Sequence, residues 1–198
     1  MTAQPAFTRA DPDARRLSLI RATARVLAQK GAAGVSVRAI CAEAGVSPGL
    51  LRHYFGGVSE AIAETCHWTG QTIHDALAEA VAQAGSDPRA RLLAYLSANF
   101  TPPIATPDLL ASYVALWSLS LSDPAVARER EAVSADFRDG LAELVRAYRP
   151  ALSDTALPVI GLTALVDGLW LELSLGHAPF SAREAKVLAE RWVDGVLG

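Results

Sequence analysis

A short polar residue followed by proline recurs along this chain, at Asp11-Pro12, Ser47-Pro48, Asp87-Pro88, Thr106-Pro107 and Asp123-Pro124. Each pair reads as a helix start. An Asp, Ser or Thr side chain can accept from the free N–H groups of a first turn, and proline suits the first helical position, where its missing N–H would go unbonded anyway. No stretch of strict apolar–polar alternation and no hairpin dipeptide separates the apolar runs. The spacing therefore predicts an all-α protein.

Between the first two prolines the pattern becomes specific. A first helix, about Pro12 to Lys30, puts Ile20, Thr23, Ala24 and Leu27 on one face and stops at Gly31, after a polar, structureless arm over residues 1–10. Ser36 to Phe55 then reads as two short helices set at an angle. Val37, Ile40, Cys41 and Ala44 share one face behind a Ser36 cap, Gly45 supplies the left-handed turn, and Val46 plugs it. Ser47 and Pro48 start the second helix, whose Leu51 and Phe55 face inward and whose Gly49, Leu50, Arg52, His53 and Tyr54 fall on or near the other side. A small residue at the helix crossing, a glycine four later and a branched apolar residue six beyond it form a helix-turn-helix spacing. Such a unit places its second helix in the DNA major groove. The same spacing also fits a helical hairpin that touches nothing.

Charge distribution bears on that choice. Residues 1–55 hold eight Arg and Lys against three acids, a net +5, while the whole chain carries −3 and the remainder therefore −8. A basic end holding the helix-turn-helix, joined to an acidic remainder, fits phosphate binding by the first part alone.

VSPGLLRHYF, preceded by a glycine and followed by a long helix, resembles the TetR family of bacterial ligand-controlled repressors, with the common signature over residues 15–62. ALWSLSLSDPAV (115–126) and LTALVDGLWLELSL (162–175) resemble its BetI branch, the choline-responsive repressors of betaine synthesis. The resemblance implies a nine-helix fold. By position it implicates Ser36, Arg38, Ser47, Pro48, Gly49, Leu50, Arg52, His53 and Tyr54 in DNA contact. Two residues depart from the family pattern: Arg52 stands where a tyrosine is common, and Val58 where a lysine at the start of the fourth helix grips phosphate. The expected grip shifts to Arg52, Arg38 and the amino-terminal arm.

Beyond Gly56-Gly57, with Glu60 placed to favour a helix amino end, the fourth helix is expected to run to about Ala84. At ~1.5 Å per residue, roughly 28 residues reach about 40 Å, enough to connect two units. Further helices are expected at about 88–100, 107–121, 124–148 and 155–176, and a last one opens on the Ser181/Glu184 capping box. This divides the chain into a DNA-binding domain, 1–56, and a ligand-binding and dimerisation domain, 57–198.

The eighth helix is apolar nearly all round, which predicts burial on every side. Its Gly161, Ala164 and Gly168 form a small-residue stripe that permits close helix approach. With Leu169, Leu173, Leu188 and Trp192 they are the candidates for a homodimer interface built from the last two helices. A ligand pocket in the acidic half would draw on Trp68, Tyr95, Phe100, Tyr113, Trp117, Phe137 and Trp170, with Asp167 one turn before Trp170. Aromatic faces plus one carboxylate suit a quaternary ammonium, although aromatics at helical spacing also build cores. Asp167 in so apolar a helix must be paired, protonated or liganded.

The chain has no glycine-rich phosphate loop, no nucleophile elbow and no H-E-x-x-H, so no enzyme and no cofactor are expected. His67, Gln71 and His74 share a face without a third ligand nearby, which falls short of a metal site; His177 reads as a surface or capping group. Cys41 and Cys66 lack metal-ligand spacing and read as reduced thiols. No signal-peptide layout opens the chain, and Pro158 to Leu175, interrupted by Asp167 and Glu172, is a poor membrane span. The sequence points to a cytoplasmic, homodimeric repressor that binds double-stranded operator DNA and is released by a small molecule. Its alternative is a helical ligand-binding or interaction protein without operator binding, for which Val58 is the main support.

Overall fold

The computed structural model describes residues 12–198; the amino-terminal arm and the Asp11 cap lie outside the described residues. Among the described residues there are nine helices and no strand: α1 (Pro12–Gly34), α2 (Val37–Ala44), α3 (Pro48–Tyr54), α4 (Val58–Gln83), α5 (Pro88–Ala98), α6 (Pro107–Ser120), α7 (Pro124–Tyr148), α8 (Ala156–Ser174) and α9 (Ala182–Leu197). Capping explains the starts. Asp87 accepts from the Ala90 N–H at 2.8 Å, Thr106 from Leu109 at 3.4 Å, and Asp123 from Ala125 at 2.9 Å. At α9 the box is reciprocal: Glu184 N–H donates to Ser181 Oγ at 3.3 Å, and Ser181 N–H to the Glu184 carboxylate at 2.7 Å.

Gly31, at φ 63°, breaks α1 as expected, and a further short helical stretch winds on to Gly34. The buried face of α1 is wider than the predicted stripe. Ile20, Thr23 and Leu27 are inside, Ala24 is half-buried, and Leu19, Ala22 and Val26 are buried as well. The reason is that α1 packs on α2, α4 and α6 together, not under the helix-turn-helix alone.

Three apolar clusters run along the molecule, and α4 contributes to each. Its Ala61 joins Leu19, Ile20, Ile40, Cys41, Leu51 and Phe55. The next residue, Ile62, and Cys66 one turn later join Leu27 of α1, Ala115 and Leu116 of α6 and Val126 of α7. Further along, Ile73 and Leu77 enter the main core shared by α5 to α9. At ~1.5 Å rise per residue, the 26 residues of α4 span about 39 Å. It is one rigid rod seated in all three clusters.

Helix α8 corrects an expectation. Val159, Leu162, Val166, Leu169 and Trp170 are buried, but Leu157 is 71% and Ile160 57% exposed, and Ala164, Gly168, Leu171 and Leu175 lie on the surface. An all-apolar helix is thus buried on one side only within a single chain. By length and composition the 19-residue α8 is also apolar enough to cross a membrane, with mean hydropathy 1.6 over an 18-residue window.

Candidate functional site

The helix-turn-helix is held by its inward residues and leaves its outward ones free. Ser36 Oγ accepts from the Ala39 N–H at 3.2 Å, and Gly45, at φ 65°, ends α2 in the left-handed conformation, its N–H reaching Ala42 O at 3.4 Å. A side chain there would be strained, which is why glycine occupies the turn. Leu51 and Phe55 anchor α3 in the core. Ser36, Arg38, Ser47, Pro48, Gly49, Arg52 and His53 are exposed; Leu50 and Tyr54 are half-buried. His53 and Tyr54 meet edge to face at 5.1 Å. Ser47 makes no side-chain capping bond, so Pro48 starts α3 unaided and the hydroxyl stays available to an outside acceptor or donor. Val58 packs against the two smaller apolar clusters, so this position serves the core in place of a phosphate contact.

A second site lies among α4 to α8. A cavity of about 40 Å³ is lined by Gly70, Ile73, His74 and Leu77 of α4, Tyr95 and the adjoining Asn99, Tyr113 of α6, Val133, Ser134, Asp136 and Phe137 of α7, and Thr163, Val166, Asp167 and Trp170 of α8. Tyr113 meets Trp170 edge to face at 5.0 Å, and Tyr95 lies 5.3 Å from Phe137. Backbone acceptors fix two of these rings: Trp170 Nε1–H donates to Asn99 O at 2.9 Å, and the Tyr95 hydroxyl to Phe137 O at 3.0 Å. Burial raises the Asp167 carboxyl to about 6 against the pull of Arg130 and Arg138, and burial, reinforced by Asp167, pushes the Tyr113 phenol up to about 12. Four rings and one carboxyl with a raised pKa thus face one space.

Of the sequence-based candidates, Tyr95, Tyr113, Phe137, Asp167 and Trp170 line this cavity. Trp117 does not; it stacks behind Tyr113 at 5.5 Å, and its N–H, near enough to lower the Tyr113 pKa, meets no acceptor in hydrogen-bonding geometry. Phe100 is sealed in the main core, and Trp68 faces a separate groove beside Arg21 and Asp108. The sequence reading missed Asn99, Asp136, Thr163 and Ser134 and saw His74 only as a possible metal ligand. His74 Nδ1 pairs with Asp136 at 2.7 Å and His67 Nδ1 lies 3.4 Å from Glu129, so both histidines tie α4 to α7.

The proposed interface residues divide as well. Ala164, Gly168 and Leu188 are exposed. Gly161 instead permits α8 to approach α9 of the same chain: a Cβ there would sit 2.6 Å from Trp192 Cζ2. Leu169 is buried, and Leu173 and Trp192 pack on the main core. The exposed apolar strip runs through Leu157, Ile160, Leu171 and Leu175, with Val187, Leu188 and Val196 from α9.

Residues 19–60 match the family "Bacterial regulatory proteins, tetR family", and residues 88–198 match "BetI-type transcriptional repressor, C-terminal". The HTH-type transcriptional regulator BetI of Burkholderia thailandensis is 33% identical over 184 residues, covering 92% of this chain and 93% of the relative. A transcriptional regulator from Pseudomonas aeruginosa PAO1 superposes with TM-score 0.87 at 35% identity, covering 97% of this chain and 94% of that one. A regulator from Saccharomonospora viridis, solved in complex with choline, shares the fold with TM-score 0.81 at 18% identity, over 94% of this chain and 98% of its own.

Proposed function

The chain belongs to the tetR family of bacterial regulatory proteins, in its BetI-type branch, and we propose that it is a cytoplasmic, homodimeric repressor released from a palindromic operator by a small quaternary ammonium compound. Its working division is a DNA-binding unit over 1–56 and an effector-binding, dimerising unit over 57–198. The observation that carries the proposal is the course of α4. The rod starts four residues beyond Tyr54 at the end of α3 and supplies Gly70, Ile73, His74 and Leu77 to the cavity wall. Whatever moves that wall tilts the rod and displaces the surface formed by Arg52, His53 and Tyr54.

The cavity's size makes such movement obligatory. About 40 Å³ has room for roughly one to three waters. A trimethylammonium group enters only if α4, α7 or α8 gives way, so the ligand selects an expanded conformation. It shifts the equilibrium only by binding that form better than the DNA-competent one, and operator DNA weakens effector binding by the same factor. The four rings supply cation–π attraction and Asp167 a counter-charge. That a fold neighbour binds choline supports this ligand class.

The exposed strip of α8 and α9 supports dimerisation, because a contiguous apolar surface of this kind calls for cover. A second copy supplies it by two-fold symmetry, which in turn implies a palindromic operator. A membrane is a poorer occupant, since the opposite side of α8 is packed into the core.

The test is selection of duplexes from a random-sequence library, followed by binding at graded salt and choline concentrations. Expected are a palindromic consensus, dimer-dependent and salt-sensitive affinity, and release by choline. No enriched duplex would leave an interaction protein without operator binding. An enriched duplex that choline leaves bound removes the ligand class and keeps the regulator.

A further inference from the structure

The guanidinium of Arg16, on the second turn of α1, reaches three things at once. Its Nη2 donates to Glu64 Oε1 at 2.5 Å, on the second turn of α4. Its Nη1 donates to the carbonyl oxygen of Tyr54, the last residue of α3, at 3.4 Å. Its carbon lies 5.0 Å from the centroid of the Phe55 ring, at the joint between α3 and α4. A planar group with several donors and a face that stacks can do this; a lysine ammonium cannot make all three contacts together.

The surrounding contacts make this joint stiff on the α4 side. The Glu60 carboxylate accepts from the Gly56 N–H at 2.7 Å, closing the turn between α3 and α4. Ser59 lies near enough to Asp123, the cap of α7, to hold its carboxyl below the ordinary range, and Ile62 and Cys66 of α4 share an apolar cluster with Val126 of α7. The start of α4 is therefore tied to the chain before it and to α7 beside it. The seven-residue α3, by contrast, is anchored in the core by one buried side chain of its own, Leu51.

We propose that Arg16 is a positioning residue: bridging Glu64, the Tyr54 carbonyl and Phe55, it locks the recognition helix to α4, so that tilting α4 turns α3 with it. The proposal rests on the reading that α3 enters the DNA groove. Arg16 and Glu64 side chains are each 36% exposed, so the pair contributes little to global stability. Its consequence lies in the orientation of a short helix, so it is read in DNA affinity before it is read in melting temperature.

The experiment compares Glu64→Gln, Arg16→Gln, Arg16→Lys and the Glu64→Gln/Arg16→Gln double variant of the full chain on a duplex selected by the wild type. Removing the Glu64 charge would, by long-range electrostatics alone, tighten binding to polyanionic DNA. The latch predicts the reverse, a loss of roughly 3- to 30-fold. Melting temperature and the slope of affinity against salt stay at wild-type values. Arg16→Gln loses as much, the double variant loses no more than either single, and Arg16→Lys falls between. Equal or tighter binding by Glu64→Gln overturns the proposal. So does a salt slope reduced by about one in Arg16→Gln, which marks a phosphate contact. Hydrogen–deuterium exchange of the DNA-free proteins gives a second readout: the latch predicts faster exchange in 50–55 with α1 and α4 unchanged, and uniform exchange overturns it. If the wild type selects no duplex, the regulator reading fails, and the exchange result alone decides the latch.

Discussion

Gly70 of α4 lies so close to Val133 of α7 that a Cβ at position 70 would sit 2.2 Å from Val133 Cγ2. Both residues line the cavity, so this contact sets the α4–α7 spacing where an effector would have to increase it. Gly70→Ala introduces a permanent wedge. Alanine favours a helix over glycine by about 1 kcal/mol, yet the variant is expected to bind operator roughly 3- to 30-fold more weakly without effector and to respond less when effector is added. Fluorescence anisotropy on a labelled duplex measures both. Wild-type affinity with a raised melting temperature would show that the Val133 side chain turns aside and that this spacing does not gate DNA binding.

Gly161 and Gly168 make opposite predictions although they share a helix and a spacing. A Cβ on Gly161 collides with Trp192 of the same chain, whereas nothing lies within 4 Å of one on Gly168. Gly168→Glu is therefore expected to leave the fold of each protomer intact while placing a charge in the exposed apolar strip. Sedimentation should show monomers, circular dichroism an unchanged helix content, and DNA binding should vanish with the dimer. A variant that still sediments as a dimer moves the interface elsewhere.

Those two glycines mark where sequence reading stops. The helix starts were legible because capping and proline chemistry act within four residues, as at Asp87, Thr106 and Asp123. The turn was legible because Gly45 answers a purely local backbone demand. Which side of α8 faces inward was not: Leu169 and Leu171 are equally apolar, and only packing against α6, α7 and α9 buries the first and leaves the second outside. The same holds for the aromatics. Tyr113 and Phe100 look alike in sequence, but one borders the cavity and the other is sealed in the core. Asn99, Asp136 and Thr163 reach the cavity from three different parts of the chain, a convergence with no local signature. Ser47 has the right residue type for a cap and makes no capping bond, although Asp87, Thr106 and Asp123, each also followed by proline, make theirs.

Arg52 is exposed on α3 and stands where the family pattern commonly has tyrosine. If it grips phosphate, Arg52→Ala weakens binding to selected and scrambled duplexes alike and lowers the salt slope by about one. If it reads a base edge, the loss concentrates on the selected duplex, at about 1–3 kcal/mol, with relaxed preference at one position. Titration of both duplexes at several salt concentrations separates the two, and unchanged affinity for both removes Arg52 from the interface.

Asp167 couples the cavity to pH. Its folded pKa, about 6, is raised above the ordinary 3.8 by burial. The carboxyl's contribution to stability is therefore fully present below the ordinary value and is lost as pH rises through about 6. Asp167→Asn is expected to raise the melting temperature of the effector-free protein at pH 7, by roughly 2–4 °C, and to flatten its pH dependence between about 4 and 6. A cation prefers the ionised form, so choline affinity in the wild type should rise with pH up to about 6 and level off above it. Calorimetry across that range checks both signs; a cation affinity independent of pH would take Asp167 out of the site.

The character of the cavity is best tested by changing the ligand before the protein. Choline and its neutral tert-butyl isostere have nearly the same shape and apolar surface, but only choline carries the charge that aromatic faces and a carboxylate attract. A cage formed by Tyr113, Tyr95, Phe137 and Trp170 around Asp167 should favour choline by roughly 0.5–2 kcal/mol from the rings, and more once Asp167 is ionised. An apolar pocket would bind the two alike. Substitutions must be chosen with the same care. Trp170 is buried and bonded to Asn99 O, so Trp170→Ala would cost about 3–5 kcal/mol in packing whatever the ligand does. Tyr113 is half-buried and has no backbone bond of its own among those observed, so Tyr113→Leu keeps most of the bulk and removes the π face. That variant should lose choline affinity while its affinity for the isostere stays the same or improves. Parallel losses for both ligands would show that the rings serve as apolar walls and that the cation is recognised by Asp167 alone.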